Sequence, residues 1–214
     1  MKKAAFIGFG DFGQQIYSLA QTIFQSEKVI VFDDVQAAKP QTDAIEAFPF
    51  LAYSEERFNE YAFFVCLGYK HLALKQKLIQ ELTEKGYTLP SLIHPTCYVS
   101  PLAEVGNAVY MYPMCNVDKS TVIGSGTLLN NSVTVSHDTK IGEVCYLCPG
   151  VTTAGFIQIG DRSFIGSGSV IANGVNIGKD AIIGVGSVIT KSVSDGASAI
   201  GNPMRILSKP LILT

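Results

Sequence analysis

The chain has 214 residues, of which 47% are hydrophobic, and a formal net charge of −2 at pH 7. This length allows one or two domains, and the apolar content is sufficient for a sizeable core. The near-neutral charge, without a basic run, argues against nucleic acid or an anionic membrane as a partner. No apolar stretch is long enough to span a bilayer, and the N-terminal segment is too short and too soon interrupted by glycine to be a signal peptide.

The cysteine content points to a reducing compartment. Five cysteines are an odd number for a chain of this size, which indicates reduced thiols and a cytoplasmic protein. Cys145 and Cys148 form one CxxC pair, which is a weak zinc signal without a second pair or a histidine at ligand spacing. We therefore interpret both as buried structural thiols and expect no metal.

The first 90 residues alternate predicted strands with predicted helices. Strands are expected at 3–8, 28–33, 63–67 and 88–93. Helices are expected from the first glycine-rich turn to about Gln25, from a cap at Ser54 to Tyr61, and along the apolar stripe of Leu74, Leu78, Ile79 and Leu82. Residues 35–52 are expected to be irregular. This alternation is typical of a small parallel sheet, so we predict a Rossmann-like α/β domain at 1–90.

A glycine-rich turn follows the first predicted strand. Gly8, Gly10 and Gly13 form a GxGxxG pattern, and Asp33 follows about twenty residues later. Such glycines let the backbone approach a pyrophosphate at a helix N-terminus. Ninety residues are too few for two mononucleotide-binding halves, so a nucleotide diphosphate fits better than a nicotinamide dinucleotide. An alternative is that the glycines only form a tight strand-to-helix turn.

Residues 93–194 repeat with a period of six. Seventeen consecutive hexads begin with Ile, Val, Leu or Met, except for Thr153, and the fifth position is mostly small. A helix repeats every 3.6 residues and a half-buried strand every two, so neither accounts for this period. A triangular β-solenoid does, with positions one and five pointing inward and three hexads closing a coil of eighteen residues. Glycine at position two and Asn are expected to serve the corners, where they allow positive φ.

This hexad pattern resembles the hexapeptide-repeat acyltransferases. The resemblance implies an all-β left-handed parallel β-helix, here predicted for residues 91–214, that usually assembles as a homotrimer. A structural β-solenoid without chemistry is the alternative for the repeat alone.

A small nucleotide-binding domain followed by such a β-helix is similar to the sugar acetyltransferases of bacterial surface-glycan synthesis. These are the N-acetyltransferases of UDP-, dTDP- or GDP-linked amino sugars, with the sialic-acid O-acetyltransferases as relatives. The resemblance then covers nearly the whole chain. It implies that the nucleotide sugar is held by Gly10, Asp11, Phe12, Asp33, Asp34 and Gly68. Relatives often carry Gly-His where this chain has Asp11-Phe12; we interpret Asp11 as the N-cap of the first helix.

His137 is the candidate general base among three histidines. His71 and His94 are interpreted as structural or solvated, whereas His137 lies at the outward third position of its hexad. Gly155, eighteen residues on, is expected about 4.8 Å above it, in the hexad that begins with Thr153. Acyl transfer needs a base that titrates near neutrality, and a following acid, Asp138, can orient the ring. The N–H of Gly155 is a candidate oxyanion donor.

The segment 130–142 closely matches the catalytic segment of these acetyltransferases. The resemblance implies His137 as the base, Asp138 as the acid that tunes it, and Asn130 as part of the acceptor site. It also implies that acetyl-CoA lies between neighbouring β-helices, against Tyr146, Gly155, Ser167, Gly184 and Val185, with Lys191 and Arg205 as partners for its phosphates. Tyr146 stands where relatives often have His. Only His94 and His137 lie in the coil, too few for the three-histidine zinc site of a carbonic-anhydrase-like β-helix.

The sequence therefore predicts an acetyl-CoA-dependent N-acetyltransferase of a nucleotide-linked amino-deoxysugar. Two alternatives stay open at this point. One is an O-acetyltransferase acting on a sialic acid or a related sugar hydroxyl. The other is a β-helix scaffold that binds a nucleotide without turnover.

Overall fold

The computed structural model describes residues 3–39 and 45–213. The chain divides into two compact units, Met1–Leu92 and Ile93–Thr214. The division lies two residues beyond the predicted boundary, and the separate role of each unit stays a prediction. Within the described residues, no helix is both long and apolar enough to cross a membrane.

The first unit is a four-stranded parallel sheet with helices. Its strands are β1 Lys3–Ile7, β2 Lys28–Phe32, β3 Glu46–Phe48 and β4 Ala62–Val65, in the order β3-β2-β1-β4. The α-helices are α1 Asp11–Ile23, α2 Asp34–Ala37 and α3 Leu72–Glu84, and 3₁₀ helices span Phe50–Ser54, Glu56–Phe58 and Tyr69–His71. Strand β4 is buried at every position, as expected for a strand of a sheet covered on both faces.

Two predicted elements of this unit are wrong. Ser54 ends a 3₁₀ helix and its hydroxyl donates to the carbonyl of Leu51, so it caps no helix running to Tyr61. Of the predicted fourth strand at 88–93, only Thr88 joins the sheet of this unit, through a single bridge to Ala62, since Pro90 has no N–H to donate; Leu92–Ile93 form a strand of the coil instead. The sheet still has four strands, because β3 forms inside the segment that was predicted to be irregular. Residues 40–44 of that segment, with Pro40, lie outside the described residues.

The predicted apolar stripe of α3 also needs one correction. Leu74 is 42% exposed, whereas Lys75 is 2% exposed. Lys75 lies three residues after Leu72 and four before Ile79, both buried, so it shares their face of the helix. Burial of the ammonium lowers the pKa of Lys75 to about 8.

The second unit is a stack of two-residue strands, one in every hexad. Three sheets form its faces: one of five strands, one of six and one of eight, here called the five-strand, six-strand and eight-strand faces. The five-strand face holds β7 Glu104–Val105, β10 Val122–Ile123, β13 Lys140–Ile141, β16 Gln158–Ile159 and β19 Asn176–Ile177. The six-strand face holds β6 Tyr98–Val99, β9 Asn116–Val117, β12 Thr134–Val135, β15 Thr152–Thr153, β18 Val170–Ile171 and β21 Val188–Ile189. The eight-strand face holds β5 Leu92–Ile93, β8 Tyr110–Met111, β11 Leu128–Leu129, β14 Tyr146–Leu147, β17 Phe164–Ile165, β20 Ile182–Ile183, β22 Ser198–Ile200 and β23 Arg205–Ile206.

The register of these faces is eighteen residues, as predicted. Val135, for example, pairs with Val117 below and Thr153 above, in parallel. From Val109 to Val193 every first and fifth position of a hexad is buried, and together they form the interior of the coil. Each coil therefore buries six small or aliphatic side chains and contacts only its neighbours.

The hexad position that adopts positive φ differs from the prediction. Positive φ occurs at position four of the hexads, from Ala108 to Gly186, and residues other than glycine occupy nine of those positions. The glycines at position two are required for a different reason, because a Cβ there would clash with atoms of the next coil, in most cases with its backbone. At Gly124 that Cβ would lie 2.5 Å from the carbonyl carbon of Gly142. At the hexads that carry glycine there, position two is thus limited by the stacking distance between coils.

We predict that substitution by alanine is tolerated to different degrees at two glycines of the coil. Gly124→Ala should lower the free energy of unfolding by about 3 kcal/mol, because the added methyl overpacks the stack. Gly168→Ala should cost only about 1 kcal/mol, because φ is +66° but no atom lies within 4 Å of the added Cβ. Urea denaturation followed by circular dichroism measures both variants. Equal losses would contradict this explanation of position two.

Candidate active site

His137 lies at a corner of the coil, directly after β12. The corner joins the six-strand face to the five-strand face. We call the outward column Lys119, His137, Gly155, Asn173 and Lys191, one residue per coil, the His137 corner. The His137 side chain is 40% exposed, and its Nδ1 lies 2.9 Å from Oδ2 of Asp138. Asp138 adopts φ +55°, a conformation that Asp accepts more readily than most residues.

Gly155 packs directly against the imidazole, as the eighteen-residue period predicts. A Cβ at Gly155 would lie 2.6 Å from Cε1 and 2.8 Å from Nε2 of His137. Only glycine therefore leaves room for the ring in this position. Within the described part of the chain, the Gly155 N–H donates to no other group, so this donor is available next to the ring.

Thr153 has a role in this corner that the sequence did not reveal. Along the six-strand face, the N–H after each strand donates to the backbone carbonyl one coil on, as from Asp118 to Val135 and from Ala154 to Ile171. At Ser136 the acceptor is instead the Thr153 hydroxyl, at 3.2 Å. The break in the aliphatic rule at Thr153 was the signal, because a buried hydroxyl needs a partner.

The backbone next to His137 is held on several sides. The Ser136 carbonyl accepts from the Thr121 hydroxyl at 3.3 Å. The His137 carbonyl accepts from the N–H of Phe156 at 3.2 Å, and the N–H of Asp138 donates to the carbonyl of Lys119 at 3.1 Å. The His137 side chain therefore projects from a segment whose position is fixed by the coils above and below it.

The predicted acetyl-CoA residues lie on different corners and faces of the coil. Gly155 and Lys191 belong to the His137 corner. A second corner, between the eight-strand and six-strand faces, carries Ser167, Gly184 and Val185; we call it the Ser167 corner. The structure does not bring these two sets together within one chain.

Three other predicted residues lie away from the His137 corner. Asn130 is at the Ser167 corner, where its side chain accepts from the N–H of Asn131 at 2.8 Å and its carbonyl accepts from the Cys115 thiol at 3.1 Å. Tyr146 lies on the eight-strand face, with its ring stacked on Phe164 at 5.8 Å. Arg205 is exposed in β23, on the same face.

In the first unit, the glycine-rich turn lies between β1 and α1. The N-cap of α1 is Gly10, and Asp11 is the first helical residue, so the prediction that Asp11 is the N-cap is wrong. Its carboxylate still suits the first turn of a helix, where negative charge is favourable. A Cβ at Gly13 would lie 2.3 Å from the carbonyl oxygen of Gly8, so this glycine is required for the close approach of α1 to β1.

Asp33 ties this turn to the next strand, a role that the sequence did not reveal. Its Oδ2 accepts from the N–H of Phe9 at 2.8 Å, and its Oδ1 accepts from the N–H of Gln36 at 3.0 Å as the N-cap of α2. Asp34 accepts from the N–H of Phe50 at 2.9 Å. The Asp33 carboxylate is therefore first of all a structural bridge, with lone pairs left for a ligand.

The predicted nucleotide-sugar residues meet at one edge of the sheet. The ring of Phe12 lies 3.8 Å from the position of a Cβ at Gly68, which follows β4. Asp33 follows β2, and Gly10 follows β1. The carboxyl ends of β2, β1 and β4 thus bring these residues together, at the edge where parallel α/β sheets bind ligands.

The remaining candidates behave as structural groups. The Nδ1 of His94 lies 2.8 Å from the Thr96 hydroxyl, and His71 precedes α3. Cys145 and Cys148 are buried, and burial raises the pKa of these thiols to about 12 and about 11. In residues 3–39 and 45–213, no group of three or more His, Cys, Asp or Glu side chains is arranged to hold a metal ion.

Comparison with known proteins agrees with this architecture. Residues 156–191 match the family model of the bacterial transferase hexapeptide (six repeats). The acetyltransferase domain of PglB from Neisseria gonorrhoeae FA1090, solved with acetyl coenzyme A, is 26% identical with a TM-score of 0.85, over 98% of this chain and 99% of that one. A search of curated proteins by sequence finds no match.

Two further solved structures are similar over their whole length. PerB from Caulobacter crescentus, solved with CoA and GDP-perosamine, is 26% identical with a TM-score of 0.84, over 97% of this chain and 98% of that one. WeeI from Acinetobacter baumannii AYE is 26% identical with a TM-score of 0.84, over 97% and 100%. The predicted resemblance to hexapeptide-repeat sugar acetyltransferases and the predicted fold class, α/β followed by a parallel β-coil, are confirmed.

We predict that the Thr153 hydroxyl helps to hold His137 in the position that activity requires. Thr153→Val keeps the shape but leaves the Ser136 N–H without its acceptor, which should cost about 1–3 kcal/mol of stability and lower kcat severalfold. Thr127→Val is the matched control, since Thr127 is equally buried and accepts from the N–H of Cys145 at 3.0 Å, at a different corner. It should lose similar stability and keep its kcat. Equal kcat values for the two variants, measured by thiol release, would contradict the prediction.

Proposed function

We propose that the chain transfers acetyl from acetyl-CoA to the amino group of a nucleotide-linked amino-deoxysugar, in surface-glycan biosynthesis. One observation carries the proposal: an outward imidazole, bonded to a carboxylate and packed against a glycine, at a corner of a hexapeptide coil. Neighbours that match nearly the whole chain include one solved with acetyl coenzyme A and one solved with CoA and GDP-perosamine. UDP-, dTDP- and GDP-linked sugars are all candidates.

His137 supplies the base of the reaction. With the Nδ1 proton donated to Asp138, Nε2 keeps its lone pair directed outward. As the amine attacks the thioester carbonyl, the C–N bond forms and the amine proton passes to Nε2. The C–S bond then breaks, and the thiolate of CoA receives that proton from the imidazolium. Asp138 stabilises the transient positive charge on the ring.

Gly155 serves the reaction in two ways under this proposal. Its missing side chain gives the ring its position. Its N–H supplies a donor for the oxygen of the tetrahedral intermediate, fixed by the coil before the substrates arrive. A donor set in advance needs no reorganisation during the reaction.

The turn of the first unit holds the nucleotide end of the acceptor in this proposal. The N-terminus of α1, at Gly10 and Asp11, suits a diphosphate through its backbone N–H groups. Phe12 lies across from Gly68, and Asp33 and Asp34 offer carboxylates to a base N–H. Asn130 is assigned to the acceptor sugar. The negative charge of the Asp11 carboxylate repels a phosphate placed next to it. Asp11 should therefore influence which nucleotide sugar binds.

A homotrimer completes the acetyl-CoA site in this proposal. The residues of one chain that are assigned to acetyl-CoA lie partly at the His137 corner and partly at the Ser167 corner. A groove between two copies pairs one corner with the other, so that Gly155 and Lys191 of one chain face Ser167, Gly184 and Val185 of its neighbour. Tyr146 and Arg205 are also assigned to acetyl-CoA binding. We place the protein in the cytoplasm, where acetyl-CoA is available.

We predict that His137→Ala abolishes turnover. Thiol release from acetyl-CoA, across a panel of UDP-, dTDP- and GDP-linked amino sugars, should identify an acceptor for the unaltered protein. On that acceptor, His137→Ala should lower kcat at least about 100-fold, since the general base is gone. His94→Ala removes a partly buried histidine outside the site and should stay within about twofold.

Each other outcome argues against part of the proposal. Normal turnover of His137→Ala would refute the assignment of the base. A product whose acetyl group is lost in mild alkali is an ester, and would favour O-acetylation of a sugar hydroxyl. Nucleotide binding without any binding of CoA would favour a scaffold without catalysis.

A further inference from the structure

Phe156 is an exposed aromatic residue in contact with the base. It follows Gly155 directly, one coil above His137. Its ring lies edge-on to the imidazole, with centroids 5.2 Å apart and planes at 87°. Phe156 is nevertheless 57% exposed, so filling the core does not account for it.

The backbone conformation does not account for a phenylalanine either. Phe156 sits at position four of its hexad with φ +58°, in the left-handed region that disfavours bulky side chains. Five of the other position-four residues are glycine, at 126, 150, 168, 174 and 186. Arg162, at the same position of the next hexad, forms an ion pair with Asp180. Phe156 therefore occupies a conformationally costly position although the rest of its own chain leaves it largely exposed.

Phe156 completes a set of three contacts around the imidazole. The Asp138 carboxylate bonds Nδ1, Gly155 lies against Cε1 and Nε2, and the Phe156 ring meets the imidazole edge-on. The Phe156 N–H also donates to the His137 carbonyl. One residue thus restrains both the backbone and the ring of His137. Aromatic pairs favour this edge-to-face arrangement.

We infer that Phe156 is a positioning residue that holds the imidazole of His137 with Nε2 directed outward. Without the aromatic contact, the ring rotates about χ2 and spends less time in the productive orientation. Misorientation of a catalytic group lowers the rate of the chemical step with little effect on substrate binding. The inference concerns the base of the proposed acetyl transfer, and so it rests on the proposed function.

The test compares three variants. Phe156→Gly removes the ring and relieves the left-handed backbone. Phe156→Tyr keeps the aromatic edge. Met114→Gly is the matched control. Met114 is also an exposed position-four residue, 68% exposed with φ +64°, and it lies between the eight-strand and six-strand faces, away from His137.

The expected results separate positioning from folding. Phe156→Gly should lower kcat about tenfold and leave KM for both substrates within about twofold. Phe156→Tyr should restore kcat to within about twofold of the unaltered protein. Both glycine variants should raise the thermal midpoint by about 3 °C, because the strained φ is relieved. Activity and stability then change in opposite directions only at Phe156.

A second measurement does not depend on turnover. In the unaltered protein, the Nδ1–H proton of His137 should be protected from solvent exchange by its bond to Asp138, as seen by NMR. Phe156→Gly should speed its exchange about tenfold, and Met114→Gly should leave it unchanged. If no sugar is acetylated, the proposed function fails while this measurement still decides the role of Phe156. Unchanged exchange, or a rise in KM with kcat unaltered, would overturn the inference.

Discussion

The eighteen-residue register of the coil is the constraint on which the site depends. It places Gly155 against His137, the Thr153 hydroxyl against the Ser136 N–H, and the Phe156 ring beside the imidazole. All three supporting residues lie in one hexad, one coil above His137. Insertion of a single residue between the two hexads would separate His137 from all of these contacts. The geometry around His137 is thus a consequence of the regular stack, and the stack is held by its buried first and fifth positions.

The first unit builds its candidate site by a different means. A parallel sheet brings the ends of β1, β2 and β4 to one edge, and loops from each end supply the polar groups. Asp33 links two of these loops by accepting from the N–H groups of Phe9 and Gln36. The carboxylate therefore shapes the glycine-rich turn whether or not it also contacts a ligand. A substitution at Asp33 would affect the turn before it affected recognition.

The sequence predicted the coil well because the period of six is carried by many residues at once. It also located His137 and its partner Gly155, since eighteen residues separate them. Side-chain contacts between neighbouring coils were not predicted. The break in the aliphatic rule marked Thr153 as unusual but did not show that its hydroxyl replaces a backbone acceptor, and nothing local indicated that Phe156 contacts the imidazole. In the first unit, the strand β3 was missed because three residues carry too little pattern, and the segment at 88–93 was given too much weight despite Pro90.

The central claim is that the imidazole of His137, held at this corner, takes the proton from the acceptor. Chemical rescue tests it most directly. His137→Gly leaves a space next to Gly155 that free imidazole can enter, so added imidazole should restore sugar acetylation at least about tenfold over the unrescued variant. Imidazole should have no such effect on the unaltered protein. Absence of rescue in a variant that still binds CoA and the nucleotide sugar would contradict the account.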